Sequence, residues 1–135
     1  MKLIVGVRGT GKTKQLIEMV NKAAEESKGS VICIEYSNKL NFDITYKARL
    51  IDATKFHIDD AHKLTGFVAG IAASNHDITD LFIDSALKIC NNDMDEFIKF
   101  VEKADKMCAD HNIELVMTSS IPAEEVPAEL KGYIG

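Results

Sequence analysis

Gly6-Val7-Arg8-Gly9-Thr10-Gly11-Lys12-Thr13 is the stretch from which the rest of this chain can be read. It satisfies G-x-x-x-x-G-K-[ST] without deviation, and each fixed position has a physical reason. Glycines carry no Cβ, so several backbone N–H groups can converge on phosphate oxygens. A helix that begins at Lys12 turns the positive end of its dipole to the same point. The Lys12 ammonium then reaches the outer phosphates, and the Thr13 hydroxyl is suited to ligate Mg²⁺. Gly6, Val7, Arg8, Gly9, Thr10, Gly11, Lys12, Thr13 and the adjoining Lys14 are therefore the candidate phosphate-binding residues. With glycine near 7% of residues in general, a chance match in a chain this long is on the order of half a percent. The motif also lies between an apolar run and a helical pattern, the context that it requires.

Working outward, Leu3-Ile4-Val5 reads as a short buried strand stopped by Gly6. Residues 12–28 are rich in helix formers, with Leu16, Ile17, Val20, Ala23 and Ala24 on one face. Gly29 is expected to close that helix in a left-handed conformation. VICIEY (31–36) reads as a second buried strand, 37–46 as a polar loop, and 49–53 as a short strand at a sheet edge. A helix follows from Asp59 or Asp60 as N-cap to about Ser74, with Gly66 and Gly70 read as sites of close packing on the sheet. ITDLFID (78–84) is the next strand, followed by a turn of helix over 86–90. Asp93 and Glu96 form a D-x-x-E capping arrangement for a helix carrying Phe97, Ile98, Val101, Met107 and Cys108 inward, ended by Asn112. IELVMT (113–118) is the last strand, and Pro122 and Pro127 punctuate a tail with one short helix. Strands alternating with helices predict an α/β fold. It has three αβα layers, a mostly parallel sheet of about five strands and a single domain over residues 1–135.

Composition narrows the function classes. The chain has 135 residues, 46% hydrophobic and 27% charged, which is globular rather than disordered. Its net charge is −5, with 21 acidic residues against 16 Lys plus Arg, and a large basic face for nucleic acid is not expected. No leader and no membrane-length apolar run is visible, so a cytoplasmic protein without a membrane partner is expected. Cys33, Cys90 and Cys108 have no C-x-x-C spacing and read as reduced core thiols. His57, His62, His76 and His111 are scattered without metal-ligand spacing.

A nucleotide-bound Mg²⁺ needs a carboxylate at the end of an apolar strand beside the phosphate loop. Leu81-Phe82-Ile83-Asp84 supplies the best candidate, making Asp84 the Walker B aspartate. At this point the chain resembles the RecA-like, additional-strand branch of the P-loop NTPases. The resemblance rests on the phosphate loop, on Cys33-Ile34-Glu35-Tyr36, on Phe82-Ile83-Asp84-Ser85 and on Val116-Met117-Thr118-Ser119. It implies that Glu35 orients the attacking water and that Thr118 or Ser119 senses the outermost phosphate. It also implies ATP and Mg²⁺ as ligands and a sheet order of phosphate-loop strand, 113–118, 79–84, 31–36 and 49–53. The strands that the branch usually adds are missing, which leaves the phosphate-loop strand at an open edge. That edge is where a second copy or a protein partner would pair. The chain is also similar to short stand-alone bacterial P-loop proteins labelled twitching-motility ATPase-like, though it is far shorter than pilus-retraction motors.

Three functions follow as expectations. The leading one is an ATP-binding protein with slow Mg²⁺-dependent hydrolysis, serving as a switch or an assembly subunit. A non-catalytic nucleotide-binding or scaffold module is the alternative, favoured by Ser85 standing where many helicase-like ATPases carry a Glu. A nucleoside or small-molecule kinase fits less well. Its lid is usually arginine-rich, and Arg8 and Arg49 are the only arginines. Arg8, inside the loop, reads either as a surface residue or as a contact to phosphate.

Overall fold

Each interior strand sends alternate side chains to two dry faces, which is what a parallel sheet covered by helices on both sides requires. In the computed structural model, which describes residues 1–38, 40 and 43–135, the elements run β1 (Lys2–Val5), α1 (Lys12–Glu26), β2 (Ser30–Glu35), β3 (Arg49–Asp52), α2 (Ala61–Ser74), β4 (Ile78–Ile83), α3 (Ala86–Ile89), α4 (Met94–Asp110) and β5 (Glu114–Ser119). All four strand pairings are parallel and the order is β1-β5-β4-β2-β3, as expected. Lys39, Asn41 and Phe42, within the loop predicted over 37–46, lie outside the described residues.

Ile4, Val31, Cys33, Phe82 and Val116 pack on one face against Leu16 and Val20 of α1, with Leu40, Ile44 and Ala48 completing the layer. Leu3, Ile32, Ile34, Leu81, Ile83, Leu115 and Met117 pack on the other face, against Leu64 and Val68 of α2 and Phe97, Phe100 and Val101 of α4. Asp60 caps α2, its side chain accepting the Lys63 N–H at 2.8 Å. Asp93 caps α4 by accepting the Glu96 N–H at 3.2 Å. Glu96 does not complete a reciprocal box among the bonds seen, since its carboxylate meets Lys99 and His62 instead. Cys33, Cys90 and Cys108 are all buried free thiols. Burial pushes Cys90 up to about 12 and Cys108 to about 11, and raises Cys33 as well, so they stay protonated and inert. No helix among the described residues is long and apolar enough to cross a membrane.

Three local expectations are corrected. Gly29 is not left-handed: α1 stops at Glu26, Ser27 is extended, and the glycines with positive φ are Gly6, Gly9 and Gly11. Glycine is required at 29 because a Cβ there would overlap the carbonyl oxygen of Asp77, which accepts the Ser30 N–H at 2.7 Å. Gly66 and Gly70 do not pack on the sheet, since both are exposed and nothing lies within 4 Å of where their Cβ atoms would be. Gly29→Ala is therefore expected to cost about 1–3 kcal/mol through overpacking. Gly66→Ala and Gly70→Ala are each expected to stabilise by about 1 kcal/mol through helix propensity. Urea denaturation of the three variants checks both signs.

The third correction concerns the sheet edge. The tail forms two 3₁₀ turns, Ala123–Glu125 and Ala128–Tyr133, rather than one helix. Ile134 then bridges in parallel to Leu3, and the second turn lies against β1. The chain's own tail thus covers part of the edge that the sequence reading leaves open, which blunts its tendency to recruit another strand.

Candidate functional site

Sheet order creates the cleft. α1 leaves β1 toward one face, while α3 and α4 leave β4 toward the other, and β5 lies between them. Connections that diverge from neighbouring strands open a crevice above their carboxyl ends, where α/β folds bind ligands. Here it is a cleft of about 610 Å³, lined by the phosphate loop, by Asp84 and Thr118, and by the segment after β2.

The loop over 6–13 has the conformation its glycines imply. Gly9 and Gly11 have φ values of +88° and +85°, which residues with a Cβ rarely adopt. A Cβ on Gly6 would approach Thr10 Oγ1 to 2.8 Å. Thr10 Oγ1 and Lys12 Nζ both donate to the Val7 carbonyl, at 2.8 and 2.9 Å, and so close the loop on itself. α1 begins at Lys12 with Gly11 as its cap and no side-chain cap, so its first N–H groups stay available to an anion. Arg8, Gly9, Gly11, Lys12, Thr13 and Lys14 line the cleft, whereas Gly6, Val7 and Thr10 do not. Lys12 is 9% exposed. Burial lowers its pKa from the ordinary lysine value and the attraction of Asp84 opposes that shift.

Asp84 is the hub. Its N–H donates to the Ile34 carbonyl at 2.8 Å, extending the β2–β4 ladder one residue and holding the side chain at the cleft floor. Thr118 Oγ1 donates to Asp84 Oδ1 at 2.7 Å, and Thr13 Oγ1 donates to the same oxygen at 3.2 Å. Ser85 follows in the left-handed region (φ 57°, ψ 46°), which costs a residue with a Cβ about 1–2 kcal/mol. That turn aims the Ser85 N–H at Thr118 Oγ1, 2.8 Å away, so Thr118 is both donor to the carboxylate and acceptor from the next peptide. Ser119 is turned aside. It accepts the Leu87 N–H at 3.2 Å, donates to the Thr118 carbonyl at 2.7 Å, and does not line the cleft, where Ser120 does.

Glu35 is the last residue of β2, only 2% exposed yet on the cleft wall, and its Oε1 accepts the Leu40 N–H at 3.2 Å. The segment that supplies Leu40 is itself tied to α1. Asn21 Nδ2 donates to the Asp43 carbonyl at 2.9 Å, and Asn21 Oδ1 accepts the Thr45 N–H at 2.9 Å. Sequence reasoning missed the outer wall, made of Tyr36, Ser37, Leu40, Leu87, Lys88 and Asn92. No motif marks these residues. A signal for two of them was adjacency, since Tyr36 follows Glu35 and Lys88 lies one helical turn past Ser85. Four cationic side chains (Arg8, Lys12, Lys14, Lys88) line the cleft against two carboxylates, Glu35 and Asp84. In a chain of net charge −5, that local excess suits an anionic ligand.

The architecture has solved counterparts. The crystal structure of the KaiC-like protein PH0186 from the hyperthermophilic archaeon Pyrococcus horikoshii OT3 matches with a TM-score of 0.70 at 15% identity. The match covers 97% of this chain and 65% of that one. This is a RecA-like P-loop fold, truncated to five parallel strands. At that identity the likeness concerns the fold alone, and this chain spans about 65% of the length of the protein it matches. No family model and no curated protein sequence matches the chain.

Proposed function

We propose that this chain binds a nucleoside triphosphate, ATP by its resemblance to the RecA-like branch, and hydrolyses it slowly with Mg²⁺ as a switch or as a subunit of an assembly. One observation carries the reading. The hydroxyls of Thr13 and Thr118, far apart in the chain, both donate to Asp84 Oδ1. A phosphate-loop hydroxyl, a strand-end carboxylate and a polar strand terminus on the next strand form one oxygen cluster beside the Lys12 ammonium. Nothing in core packing calls for such a cluster, and buried polar groups are retained where they are paired and put to use.

The donor set fits Mg²⁺. Among the described residues no three His, Cys, Asp or Glu side chains group as a metal cage. A hydroxyl and one carboxylate are the sparse, hard oxygen set that Mg²⁺ takes when phosphates and waters complete its shell. Thr13 and Asp84 would hold the ion, and when bound it would neutralise charge on the outer phosphates. The loop N–H groups and Lys12 bind and orient the phosphates. Glu35, buried at the end of β2, holds a water and accepts its proton at a carboxylate oxygen. Thr118 couples the state of Asp84 to the Ser85 peptide. Turnover is slow because Arg8 is the single arginine on the cleft, and added arginine contacts raise such rates by orders of magnitude.

Calorimetric titration of ATP, ADP, GTP and GDP with Mg²⁺ into wild type and Lys12→Ala tests the reading. Wild type is expected to prefer adenine nucleotides. The variant is expected to weaken binding roughly 10- to 100-fold, the worth of one or two charge-assisted hydrogen bonds. Binding of none of the four by wild type overturns the proposal in favour of the scaffold reading.

A further inference from the structure

We infer that Lys88 adds a contact of its own to the outermost phosphate of a bound triphosphate, leaving the ring of Tyr36 to do so. The inference rests on the nucleotide reading above and extends it to the far wall of the cleft. Lys88 lines the same cleft as the 6–13 loop, Asp84 and Thr118. Its backbone is held there. The Ser85 N–H is anchored to Thr118 Oγ1 at 2.8 Å and the Leu87 N–H to Ser119 Oγ at 3.2 Å. Lys88 comes one helical turn after Ser85, on the same side of α3.

The side chain is exposed and, among the described residues, has no carboxylate partner. Among the described residues, lysine ion pairs are made by Lys47, Lys63 and Lys99, none of them by Lys88. Its ammonium instead stands 4.4 Å from the centroid of the Tyr36 ring, and Tyr36 directly follows Glu35. A cation over an aromatic face at a solvent-exposed site is weakly held, whereas an ammonium on a phosphate oxygen forms a charge-assisted bond. A terminal phosphate therefore outcompetes the ring. The four-carbon stem of lysine permits the exchange without moving the backbone. A diphosphate held at the loop by Lys12 and the N-terminus of α1 lacks the group that reaches this wall. Lys88 accordingly distinguishes triphosphate from diphosphate, and it supplies from within the chain a positive charge that the cleft otherwise draws from Arg8, Lys12 and Lys14.

The test is titration of a non-hydrolysable ATP analogue and of ADP, each with Mg²⁺, into wild type, Lys88→Ala, Lys88→Arg and Tyr36→Leu. Lys88→Ala is expected to weaken the analogue about tenfold while ADP changes by less than about twofold. Lys88→Arg is expected to restore most of the difference, and Tyr36→Leu to preserve it, since the ring only holds the resting ammonium. Equal weakening of both ligands by Lys88→Ala, or no weakening of either, overturns the inference and leaves the nucleotide reading intact. Binding of neither ligand by wild type overturns both together.

Discussion

Glu35→Gln will lower Mg²⁺-ATP turnover by about 10²- to 10³-fold while nucleotide affinity stays within about threefold of wild type, the range expected when a positioned general base is removed. The substitution keeps volume and an acceptor oxygen, so the bond from the Leu40 N–H at 3.2 Å can persist and the segment after β2 stays in place. What it removes is negative charge and basicity at a side chain only 2% exposed. Burial, and then the charges of Asp84 and Glu35, raise the pKa of Cys33, which lies on β2 two residues before Glu35 and pairs with Phe82 of β4, so both carboxylates act on one poorly solvated region. Phosphate release at saturating ATP, read beside a binding titration and a thermal melt, separates the outcomes. Unchanged turnover would remove Glu35 from the chemistry, and affinity falling in step with turnover would make its role structural.

The second large effect lies away from the cleft. Phe97→Ala should destabilise the protein by about 3–5 kcal/mol, the range for emptying a buried aromatic site. Phe97 is 0% exposed in the first full turn of α4, among Leu, Ile and Val side chains from both α2 and the sheet. A cavity there cannot be filled by one neighbour moving, because α4 is fixed at its start by the Asp93 cap and packs on both α2 and β5. Against a total stability of about 5–15 kcal/mol for a domain, the loss is a large fraction. A fall of roughly 10–20 °C in Tm follows. Thermal melting followed by circular dichroism checks it, and a shift under about 3 °C would mean that this helix interface is looser than its packing indicates.

Much of the architecture was legible because its causes are short-ranged. Leu3-Ile4-Val5, stopped by Gly6 and followed by a helical pattern from Lys12, is a strand-loop-helix unit set by side chains within a few residues of one another. The same holds for the caps at Asp60 and Asp93, where a carboxylate meets an N–H three residues on. Gly29 shows the limit of such reasoning. Its position after a helix suggested a left-handed cap, yet the group that excludes a side chain is the Asp77 carbonyl on the approach to β4. Gly66 and Gly70 fail in the same way, because a sequence does not state which face of an evenly apolar helix will be left to solvent.

By itself the sequence determined the glycine-built turn over 6–13, the alternation of strands and helices, and Asp84 and Glu35 as carboxylates at strand ends, since periodicity, glycine and capping act over a few residues. Only the tertiary structure decided that Thr118 rather than Ser119 meets Asp84, that Thr13 reaches the same oxygen from 71 residues away, that Tyr36 and Lys88 form the outer wall, and that Ile134 covers part of the β1 edge. Those contacts depend on sheet order and parallel register. Order and register come from burying both faces of the sheet at once, a condition that no local stretch of the chain contains.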